Sequence, residues 1–463
     1  MPSTPPTAEP STDSKDGSAP PPLLALPPGR AVWLVAGPMI ALGLLRTSYF
    51  LTDSWFVGRL GDGALEAIGG AAFAWWMIHI CCDLAGTGAH ALVARYEGAQ
   101  QRERIAGTLV QGLWVSAAVT ALLMALIPGR GLYFDLLGYG PATEAYALGS
   151  EYVRVCLLGC GTLAVYAVVT AAFRALGQTR TALALTAVTL VVNLGLDPAL
   201  IWGWGPFPEL GIGGAAWATS IANSIGAVVG LVILRRRGIH LVLVQPERAV
   251  TALITRIGTP ITIAGLGFSA VYVLLGRIIS DFGSFHMAAL GIGHRLESLA
   301  YMITVGFSVG AATMVGQHLG AGSPERAAES VRAALRICTA FMLPCTALLM
   351  AGAPWFFDAF TDDPAIIESG TVYLRWQAVV FVAMGIEVVY EGGFSGAGDT
   401  VPPLIISGSL TAARIPMAWV FGYTVGLGIV GVWIAIAVST GLKAIVSWWW
   451  WRRGNWKTAL TTE

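Results

Sequence analysis

The feature that most constrains this chain is a succession of apolar runs, each about twenty residues or longer, from Ala31 to Trp451. A run of that length crosses the hydrocarbon core of a bilayer as a helix. Twelve are expected, beginning near residues 31, 65, 107, 147, 180, 212, 253, 286, 330, 370, 401 and 428. Glycine, proline and polar clusters separate them, among them Gly61-Asp62-Gly63, Pro128-Gly129, Gly177-Gln178-Thr179, Gly322-Ser323-Pro324 and Gly398-Asp399-Thr400. Charged residues make up only 12% of the chain, against about 25% in a soluble domain. The expected fold is therefore an all-α integral membrane protein. Basic and acidic residues number 27 each, so charge gives no argument for a nucleic-acid partner.

Residues 1–28 are rich in Pro, Ser, Thr and Ala without a sustained apolar core, and are expected to be a disordered tail rather than a signal peptide. Arginines and lysines cluster after alternate spans: Arg95, Arg102 and Arg104; Arg174 and Arg180; Arg235 to Arg237; Arg326 and Arg332; Arg452, Arg453 and Lys457. The intervening loops carry Asp135, Glu144, Glu209, Asp358, Asp362 and Asp363. The positive-inside rule then places both termini in the cytoplasm of a cell-membrane protein, which an even number of spans requires. Trp448 to Trp451, followed by arginines, fit a membrane-interface belt.

The chain repeats itself. Pro38 and Pro260 lie 222 residues apart, as do Gly61 and Gly283, Gly69 and Gly291, Gly98 and Gly320, and Arg104 and Arg326. Further along, ALGQT at 175–179 echoes GAGDT at 396–400, and GIGG at 211–214 echoes GIVG at 428–431. Each copy holds about six spans. An even number gives both copies the same orientation, so they are parallel repeats, with a substrate path expected between them. The expected organisation is an N-lobe at 29–240, a C-lobe at 241–452 and a cytoplasmic tail at 453–463.

Ionisable groups inside membrane helices cost roughly 2.5–3.5 kcal/mol on insertion scales and mark functional sites by default. In the first copy the candidates are Asp53, in the first span, and Asp197 with the amide of Asn193, four apart and so on one helix face. If the first and fifth spans pack together, two carboxylates and an amide converge where a proton or cation can be held. The competing reading makes Asn193 and Asp197 a helix–helix hydrogen-bond pair. Asp83 is a further intramembrane acid, and Arg46 lies two turns before Asp53. The second copy does not repeat this set: Asp53 maps to Leu275, Asn193 to Arg414 and Asp197 to Ala418. It has instead Glu297, Glu387 and Glu391, the last two on one face, with Arg414 as their expected ion partner. A structural salt-bridge cluster and a cation or substrate site both remain open there.

The six cysteines all fall in apolar runs and the histidines form no ligand set, so neither a disulfide framework nor a metal site is expected. There is no phosphate-binding GxxxxGK[ST], no HExxH and no Gly-x-Ser-x-Gly elbow in a soluble αβ context, so no enzyme signature is evident.

These motifs together resemble the multidrug and toxic compound extrusion (MATE) transporters from about residue 30 to 452. The resemblance rests on PMIALGLLRTSYFLTDSWFVGRLG at 38–61, VVNLGLDPALI at 191–201, GIGHRLESLAYMITVGFSVGAATMVGQHLGAG at 291–322, and the GAGDT turn. It implies twelve helices in two six-helix lobes around a V-shaped cavity. It also implies export of amphipathic, often cationic compounds against protons or sodium, with no cofactor. The first-lobe acids resemble those of the DinF-type branch, in which Asp53, Asn193 and Asp197 match the acidic cluster. Members of the NorM type carry a glutamate where Phe268 stands, which favours protons over sodium here. A monomer in contact with membrane lipid is expected. The nearest alternative is a lipid-linked oligosaccharide or polysaccharide flippase of the same superfamily.

Overall fold

The computed structural model describes residues 22–460, without the side chains of 48–55, 57, 58, 62 and 65. Most of the tail expected at 1–28 falls outside the described residues, and so does the side chain of Asp53. Among the described residues the secondary structure is helical throughout. The first lobe comprises α1 (Pro28–Gly58), α2 (Asp62–Gly98), α3 (Arg102–Met124), α4 (Arg130–Leu136), α5 (Glu144–Ala175), α6 (Thr179–Ile201) and α7 (Ile212–Arg236). The second comprises α8 (Arg248–Asp281), α9 (Ser284–Gly320), α10 (Pro324–Asp358), α11 (Pro364–Ala397), α12 (Val401–Ala412), α13 (Arg414–Trp419) and α14 (Ile429–Arg452). Counting α3 with α4 and α12 with α13 as single broken spans, twelve segments are long and apolar enough to cross a membrane.

The sequence repeat is a structural repeat. Helix α2 displaced by 222 residues gives the bounds of α9, and Arg102 displaced likewise gives Pro324, where α10 begins. The turns that start equivalent helices share a backbone that only glycine adopts freely: Gly61 has φ 118° and Gly283 φ 137°, while Gly211 has φ 53° and Gly428 φ 60°. The copies differ in two places. Pro128-Gly129 breaks the third span into α3 and α4, whereas α10 is continuous through Pro344 and Pro354. The eleventh span, expected as one run over 401–424, breaks at Ala413 and ends in a wide turn at Val420–Thr424. Pro416 accounts for the break: it has no N–H to offer the Ala412 carbonyl, and its ring crowds that oxygen.

The lobes meet along paired helix crossings made close by glycine. A Cβ on Gly98 would overlap the Gln317 carbonyl, and one on Gly320 would overlap that of Arg95. These two contacts interchange under the 222-residue displacement. So do Gly88 against Ile254 with Gly310 against Val32, and Gly43 against Met302 with Gly265 against Ile80. Small residues at such crossings let backbones approach where lipid supplies no hydrophobic drive. The first turns of α1 contribute Ala31, Val32 and Ala36 to the core of the second lobe. The equivalent turns of α8 contribute Ile254 and Ile257 to a core of the first.

All these crossings lie in the halves of the helices that lead to the basic loops. Beyond Gly43 and Gly265 the walls change character: Leu44, Leu45, Phe73, Trp76, Phe268 and Tyr301 are exposed. The two lobes thus form a V, closed at the end bearing the arginine-rich loops.

Candidate functional site

In the first lobe, α6 packs on α1, tied by the Thr179 hydroxyl donating to the Leu34 carbonyl at 3.3 Å. That places the helix carrying Asn193 and Asp197 beside the helix carrying Asp53. Asp197 is 0% exposed and Asn193 is buried. The Asn193 amide donates to Asp197 Oδ1 at 2.8 Å, the one-turn contact their spacing predicts. A carboxylate this deep among apolar helices is expensive to keep charged, so a proton or cation that neutralises it gains a large interaction energy.

Asp83 forms a second centre in the same lobe. It sits half-buried on α2, beside Thr87 and in the field of Arg174 and Arg46. Arg46 is exposed, on the wall of the V. His79, in the same field, stacks on Trp76 with ring centroids 6.1 Å apart. Arg174 was not singled out from the sequence, where it reads as a cytoplasmic loop residue. Its backbone carbonyl also accepts from Thr313 across the interface at 3.1 Å.

The second lobe corrects one sequence expectation. Arg414 does not pair with Glu387 or Glu391. Its Nε donates to Ser439 Oγ at 2.7 Å, Nη1 to the Tyr272 hydroxyl at 2.9 Å and Nη2 to Thr440 Oγ1 at 3.1 Å. The break between α12 and α13 turns Arg414 toward α8 and α14, away from the α11 glutamates. The guanidinium also lies over the Tyr272 ring, 5.6 Å from its centroid. Glu297 sits in its field, with Tyr373 and Tyr272 alongside.

The cation that pairs with Glu387 is Lys443 on α14, its Nζ 3.2 Å from Glu387 Oε1. Ser407 on α12 stands between the two glutamates, its Oγ 2.9 Å from Glu387 Oε1 and 2.6 Å from Glu391 Oε1. The sequence reading passed over Lys443. A signal was present, since it is the one basic residue within the apolar run 429–451.

All six cysteines are free thiols, and among the described residues no group of three His, Cys, Asp or Glu side chains is arranged to hold a metal.

Residues 38–199 and 260–420 match the MatE family, once in each repeat. A Thermotoga maritima protein named probable multidrug resistance protein NorM is 28% identical over 427 residues, covering 91% of this chain and 92% of that one. A Shewanella oneidensis protein named FAD transporter is 24% identical over 443 residues, covering 93% and 96%. Among solved structures, a MATE protein in the straight conformation superposes with a TM-score of 0.86 at 24% identity, covering 97% of this chain and all of that one. A Pyrococcus furiosus transporter of the MOP superfamily, described as having a binding pocket of reverse polarity, superposes with a TM-score of 0.87 at the same identity and coverage. The two matched segments cover well over half of the sequence, one on each lobe of the V. The chain belongs to the MatE family, the multidrug and toxic compound extrusion transporters.

Proposed function

We propose that this protein is a secondary antiporter of the cell membrane that exports amphipathic, often cationic, small molecules by alternating access. Protons are the preferred coupling ion and sodium the second choice. The observation that carries this reading is Asp197: a carboxylate with no exposed surface, hydrogen-bonded to Asn193, on a helix packed against the one bearing Asp53. Protonation of Asp53 or Asp197 removes negative charge from the first lobe. That change lets α1 bend near Pro38 and Gly43 and releases a cationic substrate. The exposed apolar and aromatic wall, with Phe73, Trp76 and Phe268, suits broad recognition of amphipathic compounds.

The arginine-rich loops put both termini in the cytoplasm, so the V opens to the outside. The acid pattern of the first lobe favours the DinF-type branch. A monomer suffices, because both lobes and the cavity come from one chain.

The test is export of a fluorescent cationic dye from proteoliposomes, driven separately by a pH gradient and by a sodium gradient. The expected result is movement under the pH gradient that is lost in Asp53→Asn. Dye export that persists in that variant would overturn the first-lobe coupling site. Sodium-driven export alone would overturn the choice of ion. A different cargo, such as the flavin nucleotide in the name of the Shewanella relative, is tested in the same vesicles by loading FAD.

A further inference from the structure

We propose that Lys443 is a tethered cation: its ammonium occupies the cation position formed by Glu387, Glu391 and Ser407, and so keeps metal cations out of the second lobe. The inference is independent of the transport direction and the coupling ion proposed above.

The geometry comes first. Glu387 and Glu391 are one helical turn apart on α11, and the Ser407 hydroxyl of α12 lies within hydrogen-bond distance of an oxygen from each. Two carboxylates and a hydroxyl at this spacing are a set of hard oxygen ligands, the chemistry that holds sodium or calcium. Lys443 reaches into this set from α14, at 3.2 Å from Glu387, and its charge also acts on Glu391. It is 5% exposed and Glu387 is 6% exposed. Tyr301 on α9 lies in the field of both glutamates. A lysine buried this deeply has to bring its charge to an anion. Here the partner is a ready-made cation site, and Arg414 is engaged elsewhere. The ammonium has three N–H donors and the size of a small hydrated cation's core. It therefore fills a position that a metal ion would otherwise take.

Removing the ammonium while keeping the carboxylates should open that position. The experiment uses the full-length protein purified in detergent at pH 8 in a choline background, with radioactive sodium binding and melting temperature as readouts and potassium and calcium as parallel arms. Wild type and Lys443→Arg should bind no sodium in the second lobe: Glu391→Gln should leave any residual binding unchanged. Lys443→Met should acquire one bound cation per chain and a cation-dependent rise of roughly 2–4 °C in melting temperature. Adding Glu391→Gln to Lys443→Met should remove both gains. Sodium binding by wild type that Glu391→Gln abolishes would overturn the proposal, as would a folded Lys443→Met that gains no cation.

Lys443→Met leaves Glu387 uncompensated, and a buried unpaired charge is enough to prevent folding. A second arm covers this case. Lys443→Ala expressed and purified with methylammonium or ethylammonium should be recovered folded, because the free amine replaces the missing one. If neither amine nor sodium recovers it while Lys443→Met/Glu387→Gln folds, Lys443 merely balances the charge of Glu387 and the proposal fails.

Discussion

Helix α6 and its repeat counterpart, α12 with α13, occupy equivalent places in two lobes that are otherwise closely alike, yet they are built oppositely. Helix α6 is continuous over Thr179–Ile201 and buries an acid, Asp197, with an amide, Asn193. Its counterpart is broken at Ala413 and buries a base, Arg414, in the position of Asn193. Three neutral hydroxyls hold that base. The acid in the first lobe has an amide neighbour on its own helix, and that hydrogen bond survives any movement of the helix. The base in the second lobe draws its partners from α8 and α14, so it ties three helices together. A bond made within one helix does not hold that helix to its neighbours. A group bonded across helices fixes them. The duplicated scaffold thus carries the proposed coupling site in one lobe and, at the equivalent place in the other, a base that ties three helices together.

The sharpest way to break this contrast is to neutralise each charge in turn. Asp197→Asn should abolish gradient-driven export, with a melting temperature at or above that of the parent, since a buried charge is replaced by a neutral amide of the same shape. Arg414→Gln should behave the other way. Losing three charge-assisted hydrogen bonds at a buried site should cost about 3 kcal/mol, read as a lowered melting temperature, while protein that remains folded should still transport. If Arg414→Gln left stability unchanged and eliminated export, the second lobe would carry the coupling group and the comparison would reverse.

Much of this could be read from the chain before any coordinates. The spans were legible because apolar runs of bilayer length have few alternatives. The repeat was legible because the glycines that permit close crossings, Gly98 and Gly320 among them, cannot be replaced without a clash. The pairing of Asn193 with Asp197 followed from spacing on a single helix. What was not legible depended on the rotation of one helix against another. Arg414, Glu387 and Glu391 sit on neighbouring spans with opposite charges, and sequence alone pairs them. The break at Ala413 turns Arg414 to other partners, and Lys443, from a helix distant in sequence, takes the place expected for it. The coupling role of Asp53 rests on the sequence pattern, as its side chain is outside the described residues.

Where the lobes are alike, perturbations should be alike. Gly98→Val and Gly320→Val each place side-chain atoms against a backbone carbonyl of the opposite lobe, which cannot turn aside as a side chain could. Each should lower stability by about 1–3 kcal/mol, near the upper end, and by the same amount within error. Both should also raise the reactivity of cysteines introduced at the basic-loop end, because the V can no longer close there. Clearly unequal losses would show that the crossing is symmetric in geometry but not in load.

The smallest effect is expected at the turns after α5 and α11, which differ by one residue: Gln178 follows Gly177, and Asp399 follows Gly398. Both glycines have left-handed φ, 71° and 77°. Each turn is covered by a terminal segment of the chain, through Leu23 over Gly177 and Leu460 over Gly398. Partial burial pushes the Asp399 carboxyl above its ordinary range, so the folded state holds its proton more tightly than the unfolded one. The wild type therefore loses stability as pH rises from the unfolded value toward the folded one, and above both it bears a constant penalty. Asp399→Gln makes the two turns alike and removes that penalty. With solvent screening allowed for, the gain at pH 7 should be below about 1 kcal/mol, and it should vanish at about pH 3 and below, where the wild-type carboxyl is protonated in both states. The measurement is the difference in melting temperature between variant and parent across this pH range, which cancels the titration of every other group. A difference that stayed constant with pH would assign the effect to packing against Leu460 rather than to charge, and would mean that the two turns differ in shape as well as in chemistry.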